Sequence, residues 1–196
     1  MANQIWKASV QKAFYGFVGY TLLSGVVGGI ISLTSAAAGA ASLLSGGGGG
    51  AMLGPIIVGI LALVAYVYYF LGIKGMKEGS VGSIFEEGAA QLYKGALLGL
   101  IGAIVSIIPL IGFVGSIVSL IGFIFMLLAF GKLKKLQASE YITKGAKQLW
   151  ISMIVQLVAV VIGLIPFVGG IIAMICSIVV LVLSFLGWRN LSKSEI

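Results

Sequence analysis

Acid–base, nucleophilic or metal chemistry in this chain would have to come from very few residues. Its carboxylates are five glutamates, Glu78, Glu86, Glu87, Glu140 and Glu195, and it contains neither aspartate nor histidine. Glu86 and Glu87 form the only adjacent pair. Paired carboxylates can share acid–base work, but a pair beside lysines between apolar runs fits a solvated helix face better. Without histidine there is no histidine-based triad and no usual histidine metal site. The lone Cys176 lies in an apolar run, so it reads as a small packing residue with no internal disulfide and no multi-cysteine metal site. The expectation is a non-enzymatic protein without cofactor or metal.

Neutral polar groups inside apolar runs are the other place to look. Proton relays and ion sites in membranes use ionisable residues within the spans, and the long apolar runs here contain none. Gln156 is the single amide deep in such a run, suited to an intramembrane contact with a neighbouring helix or to a polar path. Ser106, Ser116, Ser119 and Ser177 are the serines that would line an uncharged pore.

These residues must be positioned by a membrane protein. Of 196 residues, 60% are hydrophobic and 9% charged, and the mean hydropathy is +1.21; soluble chains average about a quarter charged. The net charge of +7 comes from basic clusters between apolar runs, the pattern of topology signals rather than of a nucleic-acid surface, so no nucleic-acid partner is expected. The apolar stretch from Phe14 to Leu33 is too long for a signal-peptide core and reads as a span.

Three uncharged stretches dominate: 61 residues between Lys12 and Lys74, 37 between Lys94 and Lys132, and 41 between Lys147 and Arg189. At about 1.5 Å per residue even the shortest far exceeds a hydrocarbon core of roughly 30 Å, so each must fold back. Ile108-Pro109-Leu110-Ile111-Gly112 and Ile165-Pro166-Phe167-Val168-Gly169 mark the reversal in the second and third. The expected fold is therefore an all-α polytopic membrane helical bundle of six transmembrane helices, arranged as three hairpins. All 12 Lys and Arg then fall on one face, which the positive-inside bias assigns to the cytoplasm together with both termini. Tyr66, Tyr68, Tyr69, Trp150 and Trp188 lie near the charged ends, where interfacial aromatic anchors are expected.

The hairpins read as tandem repeats within one transmembrane domain, residues 1–196, with units at about 1–80, 81–139 and 140–196. Ala89-Ala90-Gln91-Leu92-Tyr93 matches Ala146-Lys147-Gln148-Leu149-Trp150, and Ala2-Asn3-Gln4-Ile5-Trp6 fits the same pattern. The first unit is longer by about 28 residues, an uncharged Gly/Ala/Ser-rich insertion at about 32–54 that includes the run Gly46 to Gly50. It reads as a flexible connector, or else as a close-packed segment that contacts a partner. Small residues at Gly25 and Gly29, Gly95 and Gly99, and Gly112, Gly115 and Gly122 suit close helix packing, within one subunit rather than between subunits. Ser80 to Lys94 reads as a short surface helix capped by Ser80, with Ser139 to Lys147 its shorter counterpart. Lys132, Lys134 and Lys135 read first as positive charge that sets topology, and as candidates for contact with anionic lipid headgroups.

The tandem hairpins with I-P-x-x-G at the turn and F-L-G-x-x-x-L at the exit, the latter at Phe185-Leu186-Gly187 to Leu191, resemble a broad group of small multi-pass membrane proteins of bacteria and archaea. The resemblance implies the hairpin architecture; those proteins have no established activity, so it assigns no role to any residue here. The expected function is that of a non-enzymatic membrane subunit or scaffold in the plasma membrane, an accessory or self-assembling component. Its partners would be the lipid bilayer and other membrane subunits or further copies. The alternative is an oligomeric channel or facilitator with an uncharged pore.

Overall fold

In the computed structural model, residues 2–27, 53–106, 108, 111–136, 139–163, 165 and 169–194 are described. They are helical almost throughout. Helix α1 is Ala2–Thr21 and passes directly into a π-helical segment, Leu22–Val27; α2 is Leu53–Gly79, α3 Glu86–Ser106, α4 Gly112–Leu133, α5 Glu140–Gly163 and α6 Gly169–Ser192. Among the described residues there is no strand. Among the described residues, five helices are long and apolar enough to cross a membrane, at Ile57–Gly79, Glu86–Ser106, Gly112–Leu133, Glu140–Ile162 and Met174–Ser192. The chain is thus an α-helical multi-pass membrane protein.

The first helix is the one that differs from the six-span expectation. Lys7 and Lys12 lie within α1, and its uncharged described part, Ala13 to Val27, is about 22 Å long against a core of roughly 30 Å. Gly29 and residues 32–52 of the insertion lie outside the described residues; Leu53 and Gly54 belong to the start of α2. Pro109 and Pro166 also lie outside them, but the helices they separate are antiparallel: the Glu87 carboxylate near the start of α3 meets the Lys132 ammonium near the end of α4.

Each helix packs most extensively on its sequence partner, α1 on α2, α3 on α4 and α5 on α6. The hairpins then join edge to edge, α2 to α3, α4 to α5 and α6 back to α1, so the six backbones form a closed ring. Glycines permit the close approach within hairpins. A Cβ on Gly122 would fall 2.7 Å from the Gly95 carbonyl oxygen, and one on Gly102 would fall 2.6 Å from that of Gly115. No side chain fits there, so the two backbones are in contact, which maximises dispersion between helices that gain nothing hydrophobic from leaving lipid.

The charged segments gather at one end of the ring. Lys77 lies 4.6 Å from the centre of the Tyr93 ring across the α2/α3 join, and Lys134 lies over the Trp150 ring across the α4/α5 join. At the α6/α1 join the Trp6 indole donates to the Ser194 hydroxyl. The surface helix expected over 80–94 is instead a turn followed by α3. Ser80 Oγ donates back to the Lys77 carbonyl, while Ser83 Oγ accepts from Phe85 N–H and Glu86 accepts from Gly82 N–H. Gly82, at φ +76°, supplies the left-handed residue of this turn. Ser139 caps α5 by accepting from Ile142 N–H at 3.2 Å, and α5 continues into its span without a separate surface helix.

A neutral chamber inside the helix ring

Among the described residues, the interior of the ring is packed solid toward its charged end. There Tyr69, Phe130 and Trp188 on α2, α4 and α6 meet across the middle: the Trp188 ring stands edge-on to Tyr69 at 5.7 Å and to Phe130 at 6.0 Å. Phe17 of α1 adds a fourth ring, 6.4 Å from Trp188. Edge-to-face stacking and full burial make this a well-fixed plug. It also corrects the reading of the aromatics as interfacial anchors. Trp188 is 1% exposed and Tyr69 7%, so both face the bundle interior; Trp150 is half-buried beneath Lys134, and Tyr68 alone of the five is well exposed. Position near a span end says nothing about which way a ring points.

Beyond the plug, away from the charged end, described residues of all six helices line a partly open chamber of about 710 Å³. Its walls are largely apolar, with Phe17, Phe123, Met126, Met153, Ile178 and Leu181. Between them stand neutral polar groups: Tyr20, Thr21 and Ser24 on α1 and its π-helical extension, Tyr66 on α2, Ser119 on α4, Ser152 and Gln156 on α5, and Ser177 and Ser184 on α6. No charged side chain lines the chamber among the described residues. The volume lies within the range of pockets that hold a drug-sized molecule.

The polar groups are arranged unevenly. Ser152 Oγ donates to the Leu149 carbonyl and accepts from Ser184 Oγ at 3.0 Å, a buried hydroxyl pair linking α5 to α6 at the chamber floor. Gln156 stands one turn further along α5 on the same face. Its side chain is exposed although it lies mid-span, because it opens onto the chamber, and it makes no hydrogen bond to the described residues. Thr21 and Ser24 each donate to the carbonyl four residues earlier, and Tyr66 donates to Ala96 O at 3.3 Å. The π-helical segment that carries Ser24 is a rare geometry that tends to occur where side chains are re-aimed at a site.

Of the serines picked out for a pore, Ser119 and Ser177 line the chamber. Ser106 and Ser116 do not; their hydroxyls bond to the carbonyls of Gly102 and Gly112. Of the packing glycines, Gly95 and Gly122 face each other, and Gly115 faces Gly102. A Cβ on Gly112 would meet Ser106 O at 3.1 Å, and one on Gly99 would meet the Tyr66 hydroxyl. Gly25 lies in the π-helical segment. Gly16, Gly72, Gly102, Gly145 and Gly187 make equally close contacts beyond those the sequence pattern picks out. Lys132 pairs with Glu87 and Lys134 stacks on Trp150, which leaves Lys135 exposed beside them. Desolvation, and after it the charges of Lys135 and Lys147, lowers the Lys134 pKa.

Comparison with protein-family models, with curated proteins and with solved structures finds no match to this chain.

Proposed function

We propose that this protein is a non-enzymatic, multi-pass protein of the cytoplasmic membrane that binds an uncharged, predominantly apolar molecule in its chamber and moves it within or across the bilayer. The observation that carries the proposal is the chamber itself. A helix ring whose only task was packing would gain dispersion energy by filling its interior, and here a mid-span amide and several hydroxyls face an open space instead. An ion would lose its hydration there without finding a counter-charge, at a cost of several kcal/mol; a neutral molecule would not. The facilitator reading thus becomes one of a chamber inside each chain, rather than a pore between chains.

The topology that goes with this function has six spans, with α1 and its continuation as the first, and both termini and the basic linkers in the cytoplasm. A tandem-hairpin origin is supported by burial. Gly88, Ala89, Leu92, Gly95, Ala96 and Gly102 are buried on α3, and the residues 57 positions later, Gly145, Ala146, Leu149, Ser152, Met153 and Ala159, are buried on α5. On α1 the buried Trp6, Ser9, Val10 and Gly16 precede Leu92, Gly95, Ala96 and Gly102 by 86. That register is one residue away from the alignment of Gln4 with Gln91, because Trp6 takes the interior place of Leu92.

The scaffold or accessory-subunit reading rests on the uncharged spans, the abundant small residues and the lack of catalytic groups, and the outward apolar residues of α4 and α6, among them Phe113, Ile117 and Val182, would be its contact surface. Lipid satisfies those residues as well as a partner protein does, so they favour it less than the chamber favours a ligand. The test is native mass spectrometry of the protein extracted gently from its own membrane. A bound neutral compound that is lost when Ala103→Phe fills the chamber is the expected result. Wild-type protein that carries no such compound but travels with other membrane proteins would contradict the proposal in favour of the accessory subunit.

A further inference from the structure

Resting on that reading, we infer that the molecule the chamber takes is an alcohol: an apolar body with a neutral hydroxyl, held by that hydroxyl at Gln156. Most of the chamber's hydroxyls have committed their hydrogens; those of Tyr20 on α1 and Ser119 on α4 find no acceptor among the described residues. Those of Thr21, Ser24, Ser152 and Tyr66 go to backbone carbonyls, that of Ser184 goes to Ser152, and that of Tyr69, at the floor, goes to the Met126 sulfur at 3.7 Å. Each such oxygen keeps acceptor capacity and offers no donor. Acceptors therefore still outnumber donors in the chamber, and a guest that both donates and accepts fits it better than an ether or a hydrocarbon. Ammonium groups also donate, but no carboxylate lines the chamber to balance their charge. A carboxylate guest is opposed twice, by its charge and by the lone pairs already there.

On the α5/α6 side Gln156 can meet a hydroxyl on both counts, because its amide donates through nitrogen and accepts through oxygen and is bonded to none of the described residues. It stands between the Ser152–Ser184 pair at the floor and Ser177 further out on α6, so a hydroxyl at Gln156 has acceptors on either side along the α5/α6 hairpin. Phe123, Met126 and Met153 supply the surface on which the apolar body rests. Methionine in such a wall adapts to irregular shapes, which suits a flexible chain or fused rings.

The experiment uses the full-length protein in lipid nanodiscs with three diazirine probes of equal length: a twelve-carbon alcohol, its methyl ether and the corresponding carboxylate. Photolabelled peptides are mapped by mass spectrometry and titrated to saturation. The alcohol should label saturably around Gln156 and Ser177, the ether roughly three- to tenfold more weakly, as the loss of one hydrogen bond implies, and the carboxylate more weakly still. In Gln156→Leu the chamber should still take label, but alcohol and ether should become equal. Equal labelling by alcohol and ether in the wild-type protein would overturn the hydroxyl assignment while leaving a neutral chamber. Stronger labelling by the carboxylate would overturn neutrality. The absence of saturable labelling by any probe would overturn the chamber reading itself.

Discussion

The Trp6 indole nitrogen donates to the Ser194 hydroxyl at 3.3 Å, joining the start of the first helix to the residues just past the last. Both side chains are buried, and Ser194 passes its own hydrogen to Leu191 O. This hydrogen bond is what the α6/α1 join has where the other two joins carry a lysine over an aromatic ring. It closes the helix ring together with the aromatic contacts of Phe14 with Phe185 and of Phe17 with Trp188. Ser194→Ala strands a buried indole N–H and should destabilise the protein by about 1–3 kcal/mol. Trp6→Phe should cost a similar amount, and the double variant less than the sum of the two. Unfolding by graded denaturing detergent, followed by tryptophan fluorescence or circular dichroism, reads all three; strict additivity would mean that the two residues do not interact.

The close contact of α3 with α4 makes a sharper prediction. Gly122→Ala places a methyl group against the Gly95 backbone and should destabilise by about 1–3 kcal/mol as the helices are forced apart. Gly59→Ala, with nothing near its added carbon, should be neutral or stabilising by up to about 1 kcal/mol through helix propensity. The two unfolding midpoints should therefore move in opposite directions, and a common shift would count against the packing described.

Much of this architecture was legible in the chain, and the exceptions are informative. Uncharged stretches too long for one crossing, with Ile108-Pro109 and Ile165-Pro166 near their middles, implied the hairpins now seen as α3/α4 and α5/α6. The chamber was not legible, because its walls come from six separate segments and only their packing brings Tyr20, Ser119 and Ser177 together. Gln156 was the one residue whose chemistry looked out of place. Trp188 and Tyr69 were misread because hydropathy records how near the end of a span a ring lies, and not whether it faces lipid or the interior.

At the charged end the three lysines proposed for lipid contact should behave differently from one another. Lys132 is engaged by Glu87 and Lys134 by Trp150, whereas Lys135 is exposed. Lys135→Gln should weaken retention of anionic lipid in native mass spectra more than Lys132→Gln or Lys134→Gln does. Trp150→Leu should cost about 0.5–1 kcal/mol of stability through the lost cation–π contact, beyond its packing. Equal effects of the three glutamine variants on lipid retention would mean that the basic cluster acts only as a diffuse charge.

The buried hydroxyl pair at the chamber floor offers a separate check on α5 and α6. Ser184→Ala removes the donor and leaves Ser152 bonded to Leu149 O, so it should be mild, under about 1 kcal/mol. Ser152→Val instead leaves the Ser184 hydroxyl without its acceptor and crowds the helix contact, and it should cost about 1–3 kcal/mol. The reverse order in denaturing-detergent titrations would show that the bond runs the other way.

The central claim, a chamber within the ring, is tested most directly by cysteine accessibility in a Cys176→Ala background, with the protein in liposomes and a small, neutral, water-soluble maleimide as the reagent. Gln156→Cys and Ser119→Cys line the chamber, while Val160→Cys and Ile117→Cys lie on the same helices, exposed but outside it, facing lipid. The chamber positions should react, and filling the chamber with Ala103→Phe should protect them; the lipid-facing positions should stay unmodified. Equal reactivity of the two sets, or no reaction at Gln156→Cys and Ser119→Cys, would contradict the chamber.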